Sequence, residues 1–343
     1  MGDDGTRRRF GACEDGPRIA TDGGDAERVL VLNPVAGAGD HVAEVRSRAA
    51  EHGFEVRETE GEGDAIEFAR EAAAAGASIV AAAGGDGTLN EVVRGIEAAG
   101  KLGDVTFAVV PAGTGNNFAS NVGIGGIADA FRAIERGEVR EIDVGTANDG
   151  HFLNSCVAGL TADASAATDS EMKEQLGVLA YVLTTIQHLP EYDGLPLRVR
   201  TDEVVDEAIE PADAEPDADA TARDPDWEGR ALMVLIGNAR RFPGQGWPAP
   251  GNAEDGLLDV TVVAGQPSGD LLGDGALGRL LAGEETAMHR LRAPGLSIES
   301  LDDEPIQFSL DGEMVSTPSL DVSIERRRLP LFVGEAYEPE PTS

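Results

Sequence analysis

The chain has 343 residues, enough for two domains that each bury a core, and its formal net charge is −36. Its 63 acidic residues against 27 basic ones exclude a nucleic-acid-binding surface, because such a surface must be basic to neutralise phosphates. The acidic residues are spread over the whole chain, which favours a halophilic protein in concentrated salt over an ordinary protein with acidic loops.

The cysteines and the apolar segments indicate in which cellular compartment the protein is expected. Cys13 and Cys156 form neither a disulfide framework nor a metal-ligand spacing, so we expect a reducing, cytoplasmic location. Residues 1–27 lack the apolar core of a signal peptide and are predicted to be a disordered leader. The apolar segment 176–189 is too short to span a bilayer, and we predict a helix buried against the second domain, with docking on a membrane surface as the alternative.

From Arg28 onward the sequence alternates between strands and helices. Strands are predicted at 28–33, 54–57, 78–83 and 105–110, and helices after Asp40, over 64–75 and from about Thr88. This alternation predicts βαβ units, and so a doubly wound parallel sheet over residues 28–143. Such sheets bind their ligands beyond the carboxyl ends of the strands, where the loops are the candidate site.

The loop Gly84-Gly85-Asp86-Gly87-Thr88 joins the third strand to its helix. Glycines let the backbone approach a ligand, and the unpaired N–H groups of the helix then favour a phosphate. The alternative is a tight turn that only closes the strand–helix unit. Asp86 favours the phosphate site, since a carboxylate there would repel phosphate unless a cation or its water shell lies between them.

Three further loops follow the other predicted strands, at 33–39, 59–64 and 111–117. All three are polar or rich in glycine. Because the carboxyl ends of parallel strands meet at one edge of a sheet, the four loops are predicted to build a single cleft.

After Asp143 the pattern changes to short β-forming runs separated by turns. These runs lie at 152–157, 195–199, 231–236, 257–263, 306–310 and 320–324. They predict a β-rich sandwich domain over residues 144–336, followed by a tail at 337–343. The acidic stretch 201–228 contains several prolines and is predicted to be an exposed loop between two strands.

Motifs spread over residues 28–333 resemble those of the diacylglycerol kinase catalytic-domain family, in particular soluble bacterial and archaeal lipid kinases related to sphingosine kinases. The resemblance implies a nucleotide-binding first domain and a lipid-binding second domain. It implies transfer of the ATP γ-phosphoryl group to a hydroxyl of diacylglycerol or a related lipid alcohol, with Mg²⁺, in phospholipid biosynthesis. The motifs are Asn33-Pro34-x-x-Gly37, Gly84 to Asn90, Gly113 to Ala119, Asp255 to Val260, and Leu310-Asp311-Gly312-Glu313.

The same resemblance implies roles for individual residues. Asp86 would act through a magnesium ion and its waters, and Asp143 is either a further member of that network or the polar end of a strand. A second, structural Mg²⁺ is implied at Asn252, Asp255 and Leu257, the first and last through main-chain carbonyls. Nucleotide contacts are implied for Asn33, Pro34, Gly37, Thr59, Gly84, Gly85, Asp86, Gly87, Thr88, Asn90 and Thr114.

Glu313 is implied as the general base that takes the proton of the lipid hydroxyl, with Asp311 as the alternative. Without the resemblance, Asp-Gly at 255–256 and at 311–312 is typical of hairpin turns. Asn117 stands where bacterial members of the family commonly carry Asp, which removes one carboxylate from the magnesium network.

Two other functions are alternatives. An NAD kinase-like phosphotransferase also centres on Gly-Gly-Asp-Gly, but it lacks the motifs at 255–260 and 310–313. A non-catalytic nucleotide or lipid sensor has no need of a base, and retention of Asp86, Asp311 and Glu313 speaks against it. A lipid alcohol is the expected partner, while a peripheral membrane contact and a homodimer stay open.

Overall fold

The computed structural model describes residues 28–37, 39–113, 116–159, 194–201, 206–207, 226–241, 249–264 and 288–340. Thr114, the leader 1–27, the apolar segment 176–189, most of the acidic loop 201–228 and the last three residues of the tail lie outside the described residues. In the part of the chain that the structure describes, no helix is long and apolar enough to cross a membrane.

The first half of the chain alternates strands and helices, as predicted. Its parallel strands run in the order β2-β1-β3-β4, and the residues of β3 and β4 are buried throughout, as strands covered on both faces must be. The elements are β1 (Arg28–Leu32), α1 (Val42–Glu51), β2 (Glu55–Glu58), α2 (Asp64–Ala75), β3 (Ile79–Gly84), α3 (Asp86–Ala98), β4 (Thr106–Pro111), α4 (Asn117–Asn121) and α5 (Ile127–Arg136).

Helix α3 follows the central phosphate loop, and α2 holds it in place. A side chain at Gly95 of α3 would collide with the carbonyl oxygen of Ile66 in α2. The two helices therefore approach to backbone contact, which only glycine permits. Buried alanines at positions 65, 69, 72 and 73 form the facing side of α2.

The second half consists of strands with mainly antiparallel pairing, as predicted for a β-rich domain. All of them except β11 and β12, which pair with each other in a separate two-stranded sheet, form one sixteen-stranded sheet with the first half, in the order β17-β16-β7-β10-β8-β15-β18-β4-β3-β1-β2 along its main path. The strands are β5 (Val139–Ala147), β6 (Gly150–Phe152), β7 (Ser155–Gly159), β8 (Leu195–Arg200), β9 (Asp206–Glu207), β10 (Trp227–Gly237), β11 (Arg240–Arg241), β12 (Ala249–Pro250), β13 (Leu258–Ala264), β14 (Met288–Ala293), β15 (Gly295–Ser300), β16 (Ile306–Leu310), β17 (Glu313–Thr317) and β18 (Ser319–Phe332).

The described residues form two apolar cores. Strand β18 contributes to both: Leu320 and Val322 belong to the second core, whereas Leu329 and Leu331 belong to the first. The first core also includes Leu153, Ala239 and Ala253 from the second half. The chain therefore passes between the two cores several times after the predicted boundary at residue 143.

Candidate active site

Loops at the carboxyl ends of β1, β3 and β4 line a cavity of about 360 Å³. A cavity of this size is in the range of small-molecule sites. Five residues with a predicted nucleotide role line it, together with Ala36, Glu91 and Gly113: these five are Asn33, Gly37, Gly85, Gly87 and Thr88.

The predicted phosphate loop, residues 84–88, and the loop after β4 are packed so closely that side chains would not fit at Gly84 or Gly113. A Cβ atom on Gly113 would lie 2.8 Å from the Gly85 nitrogen and would collide with the Gly85 Cα atom. A Cβ atom on Gly84 would lie 2.6 Å from the Cβ of Thr88. The Thr88 hydroxyl in turn accepts a hydrogen bond from Asn33 Nδ2 at 3.1 Å. These contacts tie the loops after β1, β3 and β4 into one rigid wall.

Gly87 differs from these glycines, because a Cβ atom there would have no neighbour within 4 Å. It lies in the first turn of α3 and lines the cavity. The first N–H groups of a helix have no partner within the helix and attract anions. The open space over Gly87 is therefore the part of the cavity that suits a phosphate.

Three further described residues with a predicted nucleotide role are not among those that line this cavity. Thr59 follows β2, where its N–H donates to the carbonyl of Leu32 at 2.9 Å. Pro34 lies in the turn after β1. Asn90 is buried, with its side-chain amide 3.5 Å from the carbonyl oxygen of His151 in β6. The nucleotide contacts of these three residues, like those of the five that line the cavity, stay predictions.

Asp86, at the start of α3, faces helix α4. Its Oδ2 accepts the Asn117 N–H at 3.0 Å and Asn117 Nδ2 at 3.3 Å, and its Oδ1 accepts the Phe118 N–H at 3.2 Å. Burial raises the pKa of Asp86, and these hydrogen bonds oppose the rise. A carboxylate has about four lone-pair positions, so about one is left for a cation or its water.

This donor set fits a hydrated Mg²⁺ that Asp86 reaches through water. It does not provide a cage of protein ligands, since the described residues contain no group of three or more His, Cys, Asp or Glu side chains. Mg²⁺ keeps several waters and is commonly shared between one or two carboxylates and substrate phosphates. Asp86 and the phosphate-facing cavity satisfy that requirement.

Asp311 lies in the turn between β16 and β17. Leu310 pairs with Glu313, and the two residues between them, Asp311 and Gly312, have φ values of 48° and 103°. Positive φ at both central positions is typical of a two-residue hairpin turn. The backbone at Asp311-Gly312 is therefore a hairpin turn, as the Asp-Gly sequence indicates.

The half-buried Asp311 carboxylate packs against the turn between β6 and β7. Its oxygens accept the N–H groups of Leu153 at 2.6 Å, Ser155 at 2.8 Å and Asn154 at 3.1 Å. Desolvation raises the pKa of Asp311 to about 6, the three N–H groups oppose the rise, and the charge of Asp86 adds to it. These contacts hold Asp311 between the β16–β17 hairpin and the turn before β7.

Glu313, the first residue of β17, is exposed. Its Oε2 accepts a hydrogen bond from Arg94 Nη1 of α3 at 2.5 Å. Burial raises the pKa of the cavity-lining Glu91; Arg94 opposes that rise, and the charges of Glu62 and Glu313 add to it. The base predicted from sequence thus reaches from the second half of the chain to the helix of the phosphate loop.

Arg240 is a site residue that the sequence reasoning did not assign to the active site. Its Nη2 donates to Asn117 Oδ1 at 2.8 Å. Burial lowers the pKa of Arg240, and the charges of Asp86 and Asp311 oppose this. The available signal was its position three residues after the end of the long apolar strand β10, where polar residues follow a strand, as they do in the loops of the first half.

Asp143 is fully buried away from the phosphate loops. Its Oδ2 accepts the Gly256 N–H at 2.6 Å and its Oδ1 accepts the Arg327 N–H at 2.7 Å. These bonds fasten the loop before β13 to strand β18. The predicted part of Asp143 in a magnesium network stays a prediction, while the alternative of a polar strand end is wrong, because Asp143 lies in the middle of β5.

The loop predicted to hold a second Mg²⁺ contains an arginine as its cation. Asp255 forms an ion pair with Arg292 and accepts the Leu257 N–H at 2.9 Å, and Arg292 Nε lies 3.1 Å from Asp259 Oδ1. The side-chain oxygen of Asn252 accepts the Glu254 N–H at 3.0 Å. The Asp255 carboxylate is thus bonded to a guanidinium and to a backbone N–H group, and a second Mg²⁺ at Asp255 and the main-chain carbonyls of Asn252 and Leu257 stays a prediction.

Comparison with known proteins identifies the family. Residues 27–147 match the diacylglycerol kinase catalytic domain, and residues 154–333 match the YegS C-terminal NAD kinase beta sandwich-like domain. A Pseudomonas aeruginosa (strain UCBPP-PA14) protein named "Probable lipid kinase YegS-like" is 33% identical over 307 residues, which cover 88% of this chain and 92% of that protein. The diacylglycerol kinase of Bacillus subtilis (strain 168) is 32% identical over 181 residues, covering 48% of this chain and 59% of the relative.

The fold has relatives among solved structures. The crystal structure of a diacylglycerol kinase from Bacillus anthracis str. Sterne matches with a TM-score of 0.62 at 22% identity, covering 91% of this chain and 98% of that chain. At this identity the likeness shows the fold alone. Together with the two family matches, it means that the chain belongs to the diacylglycerol kinase catalytic-domain family, as a kinase related to YegS-like lipid kinases and diacylglycerol kinases.

Proposed function

We propose that the enzyme transfers the γ-phosphoryl group of ATP to the hydroxyl of diacylglycerol or a related lipid alcohol. One observation carries this proposal: the hairpin with Asp311 and Glu313 lies against the phosphate-loop helix, through the contact of Glu313 with Arg94. Carboxylates from the second half of the chain thereby face a phosphate cavity built by the first half. A transfer between two bound substrates requires such an arrangement.

The cavity side is assigned to the nucleotide. The N–H groups at the start of α3 and the open space over Gly87 suit the phosphates of ATP. When bound, Mg²⁺ supplies charge neutralisation for the phosphates. Asp86 would hold its hydration shell, and Asn117 and Phe118 hold Asp86 in position.

The reaction assigned to the site is an in-line displacement. The lipid hydroxyl oxygen attacks the γ-phosphorus, the bond from that phosphorus to the β–γ bridging oxygen breaks, and ADP leaves with the bonding electron pair. The hydroxyl proton passes to a carboxylate. The products are the phosphorylated lipid and ADP.

Glu313 is the better of the two candidate bases. Both oxygens of Asp311 accept backbone N–H groups of a buried turn, and these groups occupy about three of the four lone-pair positions of the carboxylate. The Glu313 side chain is 43% exposed, and its carboxylate forms an ion pair with Arg94. A base must reach the proton that it accepts, and the exposed carboxylate at the cleft meets that requirement.

The test is incubation of the purified protein with γ-labelled ATP, Mg²⁺ and a panel of lipid alcohols, with NAD in a parallel tube. Label in a chloroform-soluble product supports the proposal. Label in NADP would instead assign the enzyme to the NAD kinase-like alternative. Nucleotide binding without transfer to any acceptor would favour a sensor.

A further inference from the structure

We propose that Arg240 is a catalytic residue that contacts the γ-phosphoryl group during its transfer. The inference rests on the proposed kinase function and deepens it. It is carried by the position of Arg240 between the phosphate loops and the Asp311 turn, and by the distribution of charge around the cleft.

On the nucleotide side, Arg240 shares a partner with Asp86. Its Nη2 donates to Asn117 Oδ1 at 2.8 Å, and the N–H and Nδ2 of Asn117 donate to Asp86 at 3.0 and 3.3 Å. One side chain therefore separates the guanidinium from the carboxylate of the phosphate loop.

On the acceptor side, the backbone that leads to Arg240 is bonded to the turn that holds Asp311. The Asn238 N–H donates to the Asn154 carbonyl at 2.8 Å, and the Ala239 N–H donates to the Leu153 carbonyl at 3.1 Å. Asn238 Nδ2 adds a third bond, to the Leu153 carbonyl at 2.9 Å. Arg240 is thus anchored where the two candidate substrate sites meet.

The charge of the cleft requires a cation at this point. None of the described residues that line the cavity is a Lys or Arg, although the cavity is the space assigned to a triphosphate. The nearby carboxylates of Asp86 and Asp311 both act on Arg240. A phosphoryl group in transfer adds negative charge between these two residues.

The partner of Arg240 also matters. Asn117 is neutral, so its hydrogen bond orients the guanidinium without cancelling the positive charge, whereas Asp at this position would form an ion pair. A guanidinium presents several N–H groups in a planar fork that matches phosphoryl oxygens. Arginines that stabilise a transferring phosphoryl group contribute about 10³ to 10⁵ in kcat.

The test uses Arg240→Gln and Arg240→Lys, with Arg198→Gln as the matched control. Arg198 pairs with Glu228 on the surface of β8, away from the cleft. Three quantities are measured for each full-length variant: kcat for lipid phosphorylation, affinity for ADP, and affinity for ADP with aluminium fluoride, which mimics the transferring phosphoryl group. Melting curves accompany every variant.

We expect Arg240→Gln to lower kcat by about 1,000-fold and to abolish the tighter binding of ADP with aluminium fluoride, while ADP affinity changes by less than about threefold. Arg240→Lys should recover part of kcat, since a point charge replaces the fork. Arg198→Gln should behave as wild type.

Wild-type kcat in Arg240→Gln, or equal losses of affinity for ADP alone and for ADP with aluminium fluoride, would overturn the proposal and leave Arg240 a structural bridge. If the Arg240→Gln variant does not fold, the Arg240→Lys variant provides the test. A kcat equal to that of the wild type would overturn the proposal, and a reduced kcat with unchanged ADP affinity would support it. A wild-type enzyme that phosphorylates no lipid alcohol would contradict the proposed acceptor, while the aluminium fluoride arm still decides the role of Arg240.

Discussion

Asp311→Asn is the substitution that best separates a structural carboxylate from a catalytic one. Asp311 accepts three backbone N–H groups from Leu153, Asn154 and Ser155. Asn has nearly the same shape, but it replaces one carboxylate oxygen by an NH₂ group that only donates. One of the three N–H groups then faces a donor in a buried site.

The size of the effect follows from these contacts. The Asn154 N–H lies 3.1 Å from both carboxylate oxygens and keeps an acceptor in either orientation of the amide. Leu153 or Ser155 loses its acceptor, and an unsatisfied buried group costs about 1 to 3 kcal/mol. The lost charge assistance of the remaining bonds is offset by relief of the desolvation that raises the pKa of Asp311, so we expect Asp311→Asn to lower the free energy of unfolding by about 1 to 3 kcal/mol.

Glu313→Gln is the matched variant for the same hairpin. It removes an exposed ion pair with Arg94, which contributes at most about 1 kcal/mol. If Glu313 is the base, phosphoryl transfer should fall by about two to four orders of magnitude at little cost in stability. Asp311→Asn should keep transfer within about tenfold of wild type at temperatures where it stays folded.

Urea denaturation in molar KCl, together with kcat at saturating ATP and lipid, measures both effects. A variant Asp311→Asn as stable as wild type would refute the structural role of the three N–H bonds. Loss of transfer in a fully stable Asp311→Asn, with activity retained in Glu313→Gln, would reverse the assignment of the base. Near-normal transfer in both variants would mean that the hairpin is only a turn.

Three further outcomes are expected. Gly113→Ala should weaken ATP binding in calorimetry by about tenfold or more, because the methyl group would lie 2.8 Å from the Gly85 nitrogen and displace the phosphate loop. Gly126→Ala is the control and should leave ATP affinity unchanged, since its methyl group would have no neighbour within 4 Å. Equal ATP affinities of the two variants would mean that the contact between Gly113 and Gly85 is not part of the nucleotide site. The thermal midpoint should rise from dilute buffer to molar KCl, since the 63 carboxylates repel one another less as the Debye length shrinks to about 3 Å at 1 M. A thermal midpoint that does not change with KCl concentration would mean that the protein is an ordinary acidic protein and not a halophilic one. Arg292→Gln should destabilise the protein by about 1 to 3 kcal/mol, because it removes the positive charge between Asp255 and Asp259. EDTA should leave the thermal midpoint of the wild-type protein unchanged. A thermal midpoint that falls in EDTA would indicate a metal in this loop.

The sequence by itself determined the parallel α/β half, the change to a β-rich second half, and the position of the glycine-rich loop between β3 and α3. These features depend on local signals: the spacing of apolar residues, the glycines at strand ends, and the start of α3. The helix over 64–75 was predicted with the observed bounds, Asp64–Ala75, because its alanine-rich pattern has clear ends at Gly63 and Gly76. Strands β14, β15 and β17 were missed, since polar residues interrupt the apolar pattern in each of them.

Only the tertiary structure decided which side chains meet in the site. The partners Asp311 and Leu153 are 158 residues apart, and Arg94 and Glu313 are 219 residues apart, so no local pattern relates them. The same holds for Arg240 beside Asn117, for Arg292 beside Asp255, and for the return of β18 to the first core. In each case the sequence supplies a charge or an apolar run, but its partner depends on how distant strands pair, because the pairing brings their ends to one cleft.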